Sequence, residues 1–196
     1  MNKSLITIIA VIGIVLILVL WGSSRYNSLV TKEEGVTAAW SQVENVYQRR
    51  ADLIPNLVST VKGYADFEKS TLTAVIEARS KATSVTIDPT KLNESNIQQF
   101  QQAQDGLSSA LSRLMVVVEK YPDLKANQNF MDLQAQLEGT ENRIATERRN
   151  FNQAAQDYNT QIRRFPSNIF AGLFGFDKKA YFQAETGAEK APEVKF

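Results

Sequence analysis

LITIIAVIGIVLILVLW, residues Leu5 to Trp21, is an almost unbroken run of isoleucine, leucine and valine inside a stretch, Ser4 to Ser24, that carries no charge. At about 1.5 Å per residue those 21 residues reach about 31 Å as a helix, the thickness of a bilayer's hydrocarbon core. A cleaved signal peptide has a shorter apolar core and a small-residue cleavage site, whereas this run ends in Val-Leu-Trp. The expectation is a retained transmembrane anchor. Leu5 begins it, and Trp21 and Tyr26 lie where amphipathic rings settle at the lipid–water boundary.

The charges around the run are nearly balanced, with Lys3 before it and Arg25 and Lys32 after it, so the positive-inside rule gives no orientation. The chain has no cysteine, which tilts the reading toward an extracytoplasmic domain on a single-pass protein of the bacterial cytoplasmic membrane. It has no histidine either. Together these absences exclude disulfides, Cys/His metal sites, thiol and Ser-His nucleophiles, and imidazole acid–base chemistry. A net charge of +1, with basic and acidic residues interleaved, offers nothing for nucleic acid, and no cofactor is expected.

Beyond the run the apolar spacing is helical throughout, and no strand pattern appears. Val36, Trp40, Val43, Tyr47, Ile54, Leu57, Val61, Tyr64, Leu72 and Val75 step by three and four, which predicts one helix of about 50 residues. The stripe keeps its phase through Pro55, so a single helix bent at Pro55 is expected. The freed carbonyl of Ala51 would then be met by Arg49, Arg50 or Asn56. After the turn-rich TSVTIDPTKLNES, Ser95 with Gln98 reads as a capping box opening a second helix toward Pro122. A third runs from about Phe130 to Phe165. The fold class is therefore all-α: a transmembrane helix (1–24), an antiparallel bundle of three long helices (25–166), and short C-terminal elements (167–196). In that last part FPSNIFAGLFGF either caps the bundle or touches a membrane or partner, ahead of a mobile polar tail.

Several separated blocks resemble the LemA family: YNSLV, AWSQVENVYQRRADLIPNLVSTVKGYADFE, YPDLKAN, LQAQLEGTENRIATERRNFNQAAQDYN and FPSNIFAGLFGF, in that order across nearly the whole chain. The resemblance implies one N-terminal transmembrane helix ahead of an antiparallel helical bundle, and no particular reaction. Glu147 stands where the family often has Ala or Val.

Two groups of residues are candidates for function. Glu44, Arg49, Arg50, Asp52 and Asn56 on the first helix, with Glu141, Glu147 and Arg148 on the third, can form a buried polar network that fixes which faces meet. Used catalytically, the same carboxylates would hold a metal, in a membrane enzyme or a regulator of one. Trp40, Val43 and Tyr47 lie on the membrane-proximal half of the long first helix, where a shorter second helix would leave them uncovered, and they are candidates for self-association. Function is accordingly read as a non-enzymatic, membrane-anchored scaffold or interaction protein. Its expected partners are the lipid bilayer, a second copy and other membrane proteins.

Overall fold

The computed structural model describes residues 3–63 and 68–183. Among them the secondary structure is helical: α1 (Lys3–Lys62), α2 (Lys69–Ser84), a 3-10 turn (Pro89–Lys91), α3 (Glu94–Val118), α4 (Pro122–Lys125), α5 (Gln128–Arg163) and α6 (Ser167–Phe174). An extended segment from Asp177 to Gln183 follows. The expected polar tail lies outside the described residues, as does Tyr64.

The apolar run and the first bundle helix are one helix. α1 passes without interruption from Leu5 through Trp21 and Pro55 to Lys62. The side chains of Val11, Leu16 and Leu20 are exposed, while Leu29, Val36, Trp40 and Val43 are fully buried. One helix thus has an apolar surface all round at one end and an apolar stripe at the other.

The expected 50-residue first helix is instead two. α1 closes with Gly63 N–H donating to the Thr60 carbonyl at 3.3 Å, and α2 comes back along it. Glycine is a poor helix former, but the period alone conceals the reversal, because Leu72, Val75 and Ala82 repeat at the same 3–4 spacing on a helix of opposite direction. The acceptor left by Pro55 is met from α2: Arg79 Nε donates to the Ala51 carbonyl at 2.8 Å. Arg50 is engaged elsewhere, and Arg49 and Asn56 are exposed.

α3 starts two residues earlier than a Ser95 cap would place it. Asn93 Oδ1 accepts from the Asn96 N–H at 2.9 Å, leaving Ser95 inside the helix. Leu92 and Ile97 flank this cap, both buried in one cluster, as in a hydrophobic staple. α5 is capped in the same way by Asn127. It packs antiparallel to α1, while α2 packs on α3.

The core divides into two clusters along the bundle. The proximal one contains Leu29, Trp40, Tyr47, Phe100, Phe151, Tyr158 and Phe182; the distal one contains Ile54, Leu57, Val75, Leu107, Leu114, Phe130 and Leu137. Trp40, Val43 and Tyr47 are therefore interior, at 0%, 0% and 5% exposure, and they are not available as a surface for self-association. The shorter helix does reach this stripe: Phe100 of α3 packs on Trp40 and Tyr47, and α5 and the extended segment 177–183 cover the rest. Trp40 stacks on Phe182 with centroids 5.9 Å apart and meets Phe151 and Phe100 edge-on at 5.5 and 5.2 Å.

Candidate functional site

A polar layer separates the two clusters. Arg50 on α1, Gln104 on α3 and Thr140 on α5 each occupy a stripe position between apolar neighbours one turn away on either side, and all three are buried. A buried guanidinium is tolerable only when its donors are met. Arg50 Nη2 donates to Gln104 Oε1 at 2.8 Å and to the Gln104 carbonyl at 3.2 Å. Its Nη1 donates to Ser108 Oγ at 2.8 Å and to the Glu141 carboxylate at 3.0 Å. The guanidinium also lies 5.1 Å from the centre of the Tyr47 ring, and only Nε lacks a partner. Gln104 Nε2 in turn donates to the Ala82 carbonyl at 3.2 Å, so α1, α2, α3 and α5 are joined at one level. Thr140 closes on its own helix through the Gln136 carbonyl at 2.8 Å.

Of the residues expected in this network, the structure brings together Arg50 and Glu141. The Glu141 side chain is 55% exposed against 2% for Arg50, so the pair is a buried cation whose counter-ion reaches water. Asp52 is exposed and accepts from Gln48, and Glu147 accepts from Asn150. Glu44 sits apart near Trp40. Burial pushes its carboxyl above the usual carboxylate range, and the neighbouring indole offsets this only in part. Among the described residues no three acidic side chains converge as metal ligands would.

Arg148 is displaced from the seam. Its guanidinium stacks over the Phe182 ring at 4.9 Å and donates to the Gln183 carbonyl at 2.9 Å, because the extended segment fills the space where a partner carboxylate was expected.

That segment is held by two asparagine side chains of α5. Asn152 on α5 accepts from the Phe182 N–H at 2.8 Å and donates to the Phe182 carbonyl at 3.0 Å. Asn159 does the same for Lys179, at 2.9 and 2.8 Å. Seven helical residues rise about 10 Å, and three extended residues span about the same, so the two clamps match in pitch and the segment runs antiparallel to α5. Ala180 N–H adds a bond to the Leu92 carbonyl at 2.8 Å.

Lys179, 5% exposed, pairs with Glu33 at 2.7 Å and donates to the Thr90 carbonyl at 3.3 Å, with its ammonium 5.6 Å from the Tyr158 ring centre. Burial, then the charges of Glu33 and Asp177, push the Tyr158 hydroxyl well above its ordinary range. The arrangement can fix register and pin the C-terminal segment.

The model of the LemA family matches residues 39–196. Magnetosome protein MamQ 2 of Paramagnetospirillum magneticum is 30% identical over 186 residues, covering 84% of this chain and 67% of that protein. Magnetosome protein MamQ of Magnetospirillum gryphiswaldense is 29% identical over 184 residues, with the same coverages. Protein LemA of Metamycoplasma hominis is 28% identical over 160 residues, 82% of this chain and 69% of that one. None of these descriptions names a reaction.

Proposed function

We propose, from the premise that the chain belongs to the LemA family, that it is a membrane-anchored helical scaffold, a non-enzymatic interaction protein of the bacterial envelope. The observation that carries this reading is the continuity of α1. A single helix long and apolar enough to cross a membrane fits a membrane location, and it enters the bundle core with no linker. A scaffold benefits from that construction because the bundle is presented at a fixed aspect instead of on a tether. The polar layer supports the same reading: it spends buried polar groups on register, the best-attested use of such groups. In this proposal the protein crosses the cytoplasmic membrane once and the bundle lies outside the cytoplasm.

The surface offered to partners is polar. A trough of about 980 Å³ runs along α3, lined by Gln98, Gln101, Gln102, Ser109 and Ser112 with Tyr181 and Gln183. Photocrosslinking residues placed at Gln102 and Ser109 of the full-length chain in intact membranes should capture a small, reproducible set of membrane proteins. Adducts to lipid and water alone, from probes on every exposed face, would overturn the scaffold reading. Stoichiometric metal on the purified full-length chain would favour a catalytic use of the carboxylates instead. Assembly of copies, if sedimentation of the full-length chain detects it, must use a surface other than the interior Trp40 stripe.

A further inference from the structure

α6 is built inside out for a helix facing water. Its inner face is small: Ser167 and Ala171 are buried against the rest of the chain. Its outer face is large and apolar: Ile169 and Leu173, one turn apart, are 59% and 74% exposed, Phe174 is 54% exposed, and Phe165 just ahead of the helix is 81% exposed. No residue from Phe165 to Phe176 is charged. Core packing explains the inner face and leaves the outer one unaccounted for.

Its position supplies the occupant. Phe170 meets Trp21 edge-on at 5.7 Å and lies so close to Gly22 that a Cβ there would sit 3.4 Å from its ring. Tyr26 meets Phe174 and Phe176 at 5.0 and 5.7 Å. α6 thus docks at the level where the uncharged run of α1 ends, and its outer face continues the exposed apolar surface of Ile14, Leu16, Ile17 and Leu20. Gly175, at φ 74° in the left-handed region, then turns the chain away from this level and back along α5. The flanks are basic: Arg163 and Arg164 precede the segment, Lys178 follows beside Asp177, and Arg25 lies 5.6 Å from the Trp21 ring centre. An uncharged aromatic helix at the end of a spanning run, edged by basic groups, has the composition of an element lying in the headgroup layer.

We propose that Phe165 and α6 form a second membrane contact. Phe165, Ile169, Leu173 and Phe174 enter the upper acyl region of the bilayer that α1 crosses, and Arg163, Arg164 and Lys178 meet its phosphates. The contact rests on reading α1 as a spanning helix. It adds a consequence to that reading: two elements at different points of the bundle hold the membrane, so α1 and α6 must tilt together relative to the bilayer plane.

The chain contains no cysteine, so single spin labels can be placed cleanly. Leu173→Cys and Ile169→Cys test the proposal, Leu16→Cys tests the anchor, and Ala135→Cys, exposed on the distal half of α5, reports on water. The labelled full-length chains go into vesicles of phosphatidylcholine and phosphatidylglycerol. Power saturation is then measured with oxygen, which concentrates in lipid, and with a water-soluble nickel chelate. Labels at Leu173 and Ile169 should favour oxygen over nickel, as at Leu16, reversing the ratio at Ala135. Nickel-accessible labels at Leu173 and Ile169 with Leu16 still protected would overturn the second contact and leave the anchor standing. Nickel access at Leu16 as well would remove both. Labels on α6 shielded from both reagents would mean a protein neighbour, most simply a second copy, and would equally overturn the lipid assignment.

Discussion

Among the described residues the Ala51 carbonyl is met by the Arg79 Nε donor at 2.8 Å, because Pro55 supplies no N–H; Ala51 itself is 3% exposed. A hydrogen bond from a charged donor contributes about 1.5–3 kcal/mol, and a buried acceptor left bare costs about 1–3 kcal/mol. Arg79→Ala in the otherwise unaltered chain should therefore destabilise by about 2–3 kcal/mol. In a Pro55→Ala background the backbone N–H of residue 55 becomes available to the same carbonyl, so the further loss of Arg79 should cost only about 1 kcal/mol. The difference, a coupling of about 1–2 kcal/mol, is what the structure specifically requires. Pro55→Ala alone should gain less than the full interior-proline penalty of about 3 kcal/mol, since Arg79 already offsets part of it. Chemical denaturation of the four full-length chains in one detergent measures the cycle. An Arg79→Ala cost that is the same in both backgrounds would refute the reasoning, whatever the size of either single effect.

Phe182→Ala should cost about 3–5 kcal/mol, the usual range for removing a buried aromatic, and should free the segment so that trypsin cuts after Lys179, which is 5% exposed in the intact chain; unaltered protection would count against the clamp. Arg50→Met should cost about 1–3 kcal/mol, because Gln104 loses its donor while half-exposed Glu141 returns to water, and Arg50→Ala should cost about 3–5 kcal/mol by adding unfilled space. Denaturation that ranks Met as the worse replacement would contradict the layer as described. Glu44 has a folded-state pKa above its unfolded one, so its charge works against folding at neutral pH, and stability falls as pH rises through that interval. Glu44→Gln should therefore be the more stable chain at neutral pH, with the difference vanishing below the ordinary carboxylate range, as melting curves across pH would show.

Periodicity is local, and what it governs was legible. The apolar run of α1, the 3–4 stripes and the length of α5 follow from neighbouring residues alone. The reversal between α1 and α2 was not legible, because a 3.6-residue period has no direction. Arg79 reads as one more charge on a helix surface until α2 is laid beside Pro55. Arg50 stands out because an arginine interrupts an apolar stripe and needs a carboxylate, but the sequence leaves Glu44, Glu141 and Glu147 equally open, and only the packing of α5 on α1 selects Glu141. Gln104 occupies a stripe position just as plainly, yet a glutamine carries no charge to demand a partner. The clamps were hidden more deeply. Asn152 and Asn159 bind peptide groups, which every residue possesses, so nothing in the side chains of the bound segment announces the match.

On the proposed reading of the uncharged run as a spanning segment, the unbroken course of α1 makes it a lever. From Arg25 to Lys62 the helix extends about 57 Å beyond the uncharged run, at about 1.5 Å per residue. Bilayers that differ in thickness from a spanning segment are met by changes of helix tilt. On a rigid arm of this length a tilt change of about 10° carries the far end of the bundle sideways by about 10 Å, the diameter of a helix. Lipid thickness at one end of the molecule would thereby set the position of the α1–α2 turn at the other, with no change in the bundle itself.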